Sequence, residues 1–153
     1  MTKIEDWVIL FFTAGFSIIP LKYKSKIPNI LKWEQFQKRQ PTNQEIKKWL
    51  KDGLFEGIGI ILGAVSGGLE VIDIDDRTLI DKLGINPKTI WKNGGWAVKT
   101  GKGYHIYIKH NGACGSIQKP VGYGIERRTT GGYVVAPPSI HPNGKQYQFW
   151  GLK

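Results

Sequence analysis

At 153 residues, 41% hydrophobic and 12% aromatic, the chain is long enough to bury one sizeable core, and a single compact domain is the expectation. A formal charge of +10 and a sequence pI near 9.7 point to polyanionic partners, nucleic acid ahead of an acidic membrane surface. The lone cysteine, Cys114, rules out an intramolecular disulfide and a zinc site built from paired cysteines, so no zinc is expected and the composition fits a reducing, cytoplasmic location.

In chain order, residues 4–14 read as an amphipathic helix stopped by Gly15; its apolar run from Trp7 is too short, at about eight residues, to enter a membrane. The β-branched run Ser17-Ile18-Ile19 reads as a strand ending at Pro20, followed by a basic loop. In that loop Lys22, Lys24, Lys26, Lys32, Lys38 and Arg39 face only Glu34, as a surface that tracks phosphates requires. Trp33 and Phe36, three apart on a short helical piece, are expected to pack inward. Thr42 with Glu45 three residues on is a capping-box signature, opening a helix to about residue 51 that ends at Gly53. Beyond it, strands are predicted at 58–62, 69–74, 96–100, 104–109, 125–128 and 133–136, with a short helix at 87–91. This order predicts an α+β domain with a largely antiparallel sheet flanked by helices. A second basic cluster, Lys99, Lys102, Lys109 and Lys119, is interrupted by no acidic residue.

Three segments carry chemistry. In Leu69-Glu70-Val71-Ile72-Asp73-Ile74-Asp75 the two-residue period of a strand puts Asp73 and Asp75 on one face. Two adjacent carboxylates repel unless cations lie between them, and Mg²⁺ or Mn²⁺ suits such oxygen ligands. A solvated strand end entering a turn is the plain alternative. Lys99-Thr100-Gly101-Lys102-Gly103-Tyr104-His105 is a glycine-punctuated basic turn entering a strand, in which Thr100, Lys102 and His105 suit nucleotide phosphates. Its spacing is not that of a P-loop, and a hairpin with a half-buried histidine explains it equally. In Gly124-Ile125-Glu126-Arg127-Arg128 a third carboxylate stands beside two arginines whose forks match phosphate oxygens, or else form a surface ion pair with it.

In combination and order these segments resemble the bifunctional primase-polymerase domain of the archaeo-eukaryotic primase superfamily. The resemblance covers nearly the whole chain, from Ala14-Gly15-Phe16-Ser17-Ile18-Ile19-Pro20 through Trp33 and Pro41-Thr42 to Gly131-Gly132-Tyr133, Pro137-Pro138-Ser139 and Ile140-His141-Pro142-Asn143-Gly144. It implies an RRM-like catalytic sheet, with Asp73, Asp75 and Glu126 holding a pair of Mg²⁺ or Mn²⁺ ions and His105 contacting the phosphates of an incoming ribo- or deoxyribonucleotide. Lys102, Thr100, Arg127 and Arg128 are the remaining nucleotide contacts expected, with Lys22, Lys26 and His141 as further DNA or nucleotide contacts. The expected activity is a DNA primase/polymerase making or extending primers on a single-stranded DNA template with release of pyrophosphate. Many members carry aspartate where this chain has Glu126, and the zinc-binding stem of some members cannot be built from one cysteine. Related proteins often continue into helicase regions, so a fragment of a longer replication protein of a plasmid or virus is an accompanying expectation, with a helicase as partner.

Two other classes compete. A non-catalytic replication initiator would use the same sheet and basic loops to bind nucleic acid but has no need of clustered carboxylates. Another D-x-D metal-dependent nucleotidyltransferase would place a diphosphate on the same pair and use a different acceptor.

Overall fold

A computed structural model describes residues 3–109, 119–122 and 124–152, the side chains of 119–122 excepted. Helix α1 (Ile4–Thr13) opens with Glu5 and Asp6, which favour the positive end of the helix dipole, and buries Val8 and Phe11. Full burial of each of these two side chains stabilises the domain by roughly 1.5–3 kcal/mol. The helix stops at Gly15, whose φ of 86° admits glycine readily. Strand β1 (Ser17–Leu21) follows, every residue buried.

Proline was expected to end this strand, yet Pro20 lies inside it, paired with Ile58. The reason is position: β1 is an edge strand of its sheet, next to β2 (Gly57–Ile61), so the missing N–H leaves no ladder bond unmade. Between them, α2 (Asn43–Lys51) starts with the anticipated capping box. Thr42 Oγ1 accepts from Glu45 N at 3.1 Å, and Glu45 Oε1 accepts from Thr42 N at 2.9 Å. Its inner face lays Trp49 edge-on against Phe36, ring centres 5.2 Å apart.

The remaining strands are β3 (Leu69–Ile74), β4 (Trp96–Lys99), β5 (Tyr104–Lys109), β6 (Lys119–Gly122), β7 (Ile125–Arg128), β8 (Tyr133–Ala136) and β9 (Gln148–Phe149). They form two sheets rather than one, ordered β1-β2-β8 and β6-β7-β3-β5-β4-β9, and every pairing is antiparallel. Within the larger sheet, β3, β4, β5 and β7 taken as strands one to four lie in the order four-one-three-two, the RRM-like arrangement. The connection from β3 to β4 carries α3 (Thr78–Lys82) and α4 (Pro87–Lys92). Only α4 was anticipated. Helix α3 is a single short turn started by Asp76, whose Oδ1 accepts from Thr78 N at 2.9 Å and Oγ1 at 2.7 Å.

Trp96 on β4 ties these layers together. Its ring lies 6.0 Å from Phe11 of α1, 5.3 Å from Phe16 before β1, 6.2 Å from Trp91 of α4 and 5.7 Å from Phe149 of β9. Such aromatic pairs contribute about 0.5–1.5 kcal/mol each beyond area burial, and here they fix one sheet relative to the other. Among the described residues no helix is long and apolar enough to cross a membrane.

Candidate active site

Strand β3 lies between β5 and β7, and its register sets Asp73 directly opposite His105 on one side and Glu126 on the other. Residues paired in this way project from the same face, so the three form one row across the sheet. Alternation adds Arg128 to that face and turns Arg127 to the other. Arg127 there makes a two-pronged ion pair with Glu70, Nη2 to Oε2 at 2.9 Å and Nε to Oε1. Glu70 is 1% exposed, and a carboxylate at that depth demands a partner. The position of Arg127 is therefore that of a structural strut, and it does not join the other site residues.

Asp73 is itself buried, and each of its oxygens faces a base. His105 Nε2 lies 3.6 Å from Oδ1, and Arg128 Nε donates to Oδ2 at 3.0 Å. Burial opposes the charge on Asp73, but His105 and then Arg128 outweigh it and hold the carboxyl below the usual range. Asp75, just beyond the strand, shifts the opposite way: burial first, then the negative charge of Asp73, raise it, with Lys102 and Arg128 pulling against them. Arg128 also reaches toward the third carboxylate, its Nη2 3.9 Å from Glu126 Oε2. Among the described residues no three His, Cys, Asp or Glu side chains are gathered closely enough to enclose a metal ion. Asp73 and Asp75 are a pair, and the Arg128 guanidinium stands beside Glu126.

The basic turn between β4 and β5 is held by its own threonine. Thr100 Oγ1 accepts from Gly103 N at 2.9 Å and Lys102 N at 3.3 Å, so this hydroxyl oxygen serves the turn. The two glycines answer to packing within the protein: a Cβ on Gly101 would stand 2.1 Å from the ring of His141, and one on Gly103 1.9 Å from the carbonyl oxygen of Ile74. These contacts pull the turn against the end of β3 and bring His141 in from a distant hairpin. Asn143 completes the link, donating from Nδ2 to Gly101 O at 2.9 Å and from its N–H to His141 Nδ1 at 3.0 Å. Burial, then the charge of Lys26, lowers the pKa of His141.

The resulting cleft opens where the two sheets part, and has two lobes. The wider, about 350 Å³, is lined by Asp73, His105 and Arg128 on one side and by Trp33, Tyr133 and Val135 on the other. The narrower, about 90 Å³, brings Asp75, Thr100, Lys102 and His141 around the same Asp73. Lys26 and Tyr147 line both lobes, whereas Lys22 lines neither. Among the described residues His105 Nδ1 is buried without a hydrogen-bond partner, the condition of an atom that a ligand or water satisfies.

Tyr147 and Trp33 are among the wall residues that the sequence did not reveal. Tyr147 comes from the strand-poor C-terminal segment and had no signal there; its hydroxyl is pushed up to about 12 by burial and then by Asp73. Trp33 does pack against the core, as expected, but its ring also meets Tyr133 edge-on at 4.9 Å and walls the wider lobe. Phe36 is fully within the core. Cys114 and the side chain of Lys119 lie outside the described residues.

No curated protein matches this chain. Residues 10–151, nearly the whole length, match the family model of the bifunctional DNA primase/polymerase N-terminal domain, and the chain belongs to that family.

Proposed function

We propose that the chain catalyses divalent-metal-dependent, template-directed nucleotidyl transfer, making or extending primers on single-stranded DNA with release of pyrophosphate. The observation that carries this reading is the position of Asp73: opposite His105 and Glu126 in register, two residues from Asp75, at the junction of two lobes rimmed by Lys26, Lys102 and His141.

The donor set suits a hard divalent cation. Asp73 and Asp75 offer only carboxylate oxygens, and the upward shift of Asp75 by its neighbour is a repulsion that Mg²⁺ or Mn²⁺ relieves. Glu126 is the third donor by register and becomes available as Arg128 turns from it. A pair of such ions, when bound, lowers the pKa of a primer 3′-hydroxyl and neutralises charge on the triphosphate.

The chain's own residues supply the rest. Lys102, Lys26 and His141 ring the narrower lobe, where a triphosphate meets converging cations and donors. His105 bridges the carboxylates and that lobe, and its orphan Nδ1 provides a further polar contact. Arg128 faces the wider lobe, where its fork can pass from Asp73 to a phosphate oxygen.

Pyrophosphate release tests this reading. It should require nucleotide, DNA template and a divalent ion together, and fall by about a hundredfold or more in Asp73→Asn and in Asp75→Asn. Release that ignores the template would transfer the site to a different metal-dependent nucleotidyltransferase.

A further inference from the structure

The segment that leaves β1 combines two properties that a merely soluble loop does not need together. Lys22, Lys24, Lys26 and Lys32 are all exposed, and no acidic residue lies between Lys22 and Trp33. Tyr23, Ile27 and Leu31, three of the six large apolar side chains exposed among the described residues, fall in the same stretch, and Leu31 is wholly exposed. Lysines alone would serve solubility; apolar groups placed among them serve a partner with both charge and apolar surface.

The stretch is also pinned. Lys22 N donates to Ile27 O at 2.9 Å, Leu21 and Pro28 bridge across its base, and Ser25 Oγ accepts from Ile27 N at 2.8 Å. Lys24 turns the tip with a φ of 50°. Tyr133 Oη donates to Lys26 O at 2.6 Å, and Asn29 Nδ2 to Leu54 O at 2.9 Å, fastening the hairpin to both β8 and the loop before β2. Glu56 is the acid at its base, accepting from Asn29 Nδ2 at 3.3 Å, away from the tip. The hairpin thus holds Tyr23 out, 58% exposed, with Lys24 Nζ 5.7 Å from its ring, while Lys26 on the same hairpin lines both lobes of the cleft.

We infer that the segment of residues 22–32, tipped by the hairpin of residues 22–27, is a docking site for single-stranded nucleic acid, with a base stacked on Tyr23 and backbone phosphates on Lys22, Lys24 and Lys32. A single strand presents unstacked base faces and successive phosphates together, whereas a duplex hides its base faces and a free nucleotide carries its phosphates in one cluster. That the strand is the template rests on the polymerase reading; that a strand binds here does not.

Fluorescence anisotropy of labelled oligo-dT, titrated with the full chain over a range of salt, tests the inference. Tyr23→Ser should weaken binding roughly tenfold while Tyr23→Trp retains it, since stacking tolerates any aromatic face. Lys22→Ala with Lys24→Ala should flatten the log-log salt dependence by about 1.4, at roughly 0.7 per phosphate contact on a single strand. Lys47→Ala, on the outer face of α2, controls for loss of charge alone and should leave the slope unchanged. Tyr23→Ser binding within twofold of the wild type, with an unchanged slope in the double variant, overturns the inference and leaves the hairpin to a protein partner. If the variants lose oligo-dT as expected but the wild type forms no pyrophosphate with any metal, the docking site stands and the catalytic reading fails.

Discussion

Arg128 and Asp73 are bonded at 3.0 Å across neighbouring strands, and the same guanidinium lies 3.9 Å from Glu126, so one arginine stands between carboxylates that a metal ion would also seek. The arrangement compensates buried negative charge in the absence of an ion. It also sets up a competition, because a cation on Asp73 and Glu126 has to displace Arg128.

Arg128→Gln removes the competitor. Mn²⁺ titrated into the nucleotide-free protein, followed by the electron paramagnetic resonance of the free ion, should bind the variant more tightly than the wild type, by about threefold to tenfold. Nucleotide affinity should move the other way, since a fork for phosphate is lost. Weaker Mn²⁺ binding in Arg128→Gln would mean that Arg128 organises the carboxylates instead of opposing the ion.

Asp75 should titrate above the usual carboxylate range, raised by burial and then by Asp73. If Asp75 is a metal ligand as proposed, only its ionised form serves, so metal uptake should rise with pH through that elevated pKa and be lost below it. Carboxyl ¹³C chemical shifts followed against pH without metal check the first part, and Mn²⁺ binding measured over the same pH range checks the second. In Asp73→Asn the second cause disappears, and the Asp75 transition should move down.

At the start of α2 the pKa shift runs the other way, downward. Glu45 is lowered to about 2, by the Arg39 hydrogen bond first and by Thr42 among the smaller contributors. A folded pKa below the unfolded value means that its contribution is complete above about pH 4.5 and is lost as pH falls toward 2. Thermal unfolding at neutral pH should show Thr42→Ala destabilised by about 1 kcal/mol. Glu45→Gln should lose stability at neutral pH and approach the wild type in acid.

Ser139 offers a test of the frame behind the cleft. Its hydroxyl, 3% exposed, accepts from Ile58 N at 2.8 Å, and so gives β2 a bond to the loop that follows β8. Ser139→Ala removes that buried hydrogen bond, at a cost of about 1 kcal/mol. A melting temperature lower by several degrees, with unaltered oligo-dT binding, is the expected result.

Local patterns made much of this legible in the sequence. The Thr42 capping box, the alternation of Asp73 and Asp75, and most strand positions follow from spacing alone. The same alternation already separates Arg127 from Arg128, because only the latter shares a face with Glu126. Which face would meet Asp73, however, depends on the register of β7 against β3, and that is fixed by pairing over more than fifty residues. Pro20 was misread for a related reason: proline breaks a central strand but not an edge, and edge position belongs to the sheet. Tyr147, Trp33 and His141 converge only after three distant loops close on one another, through contacts such as Gly101 against His141. The RRM-like strand order was implied by the family resemblance and is present in the larger sheet.

Primer extension tests the central claim most directly. A labelled primer on a longer single-stranded DNA template, incubated with nucleotides and Mg²⁺ or Mn²⁺, should lengthen according to the template with the wild-type chain and remain unextended with Asp73→Asn, although both bind the template. An unextended primer with the wild type under either metal, template binding intact, would contradict the account and make this cleft a nucleic-acid-binding site without chemistry.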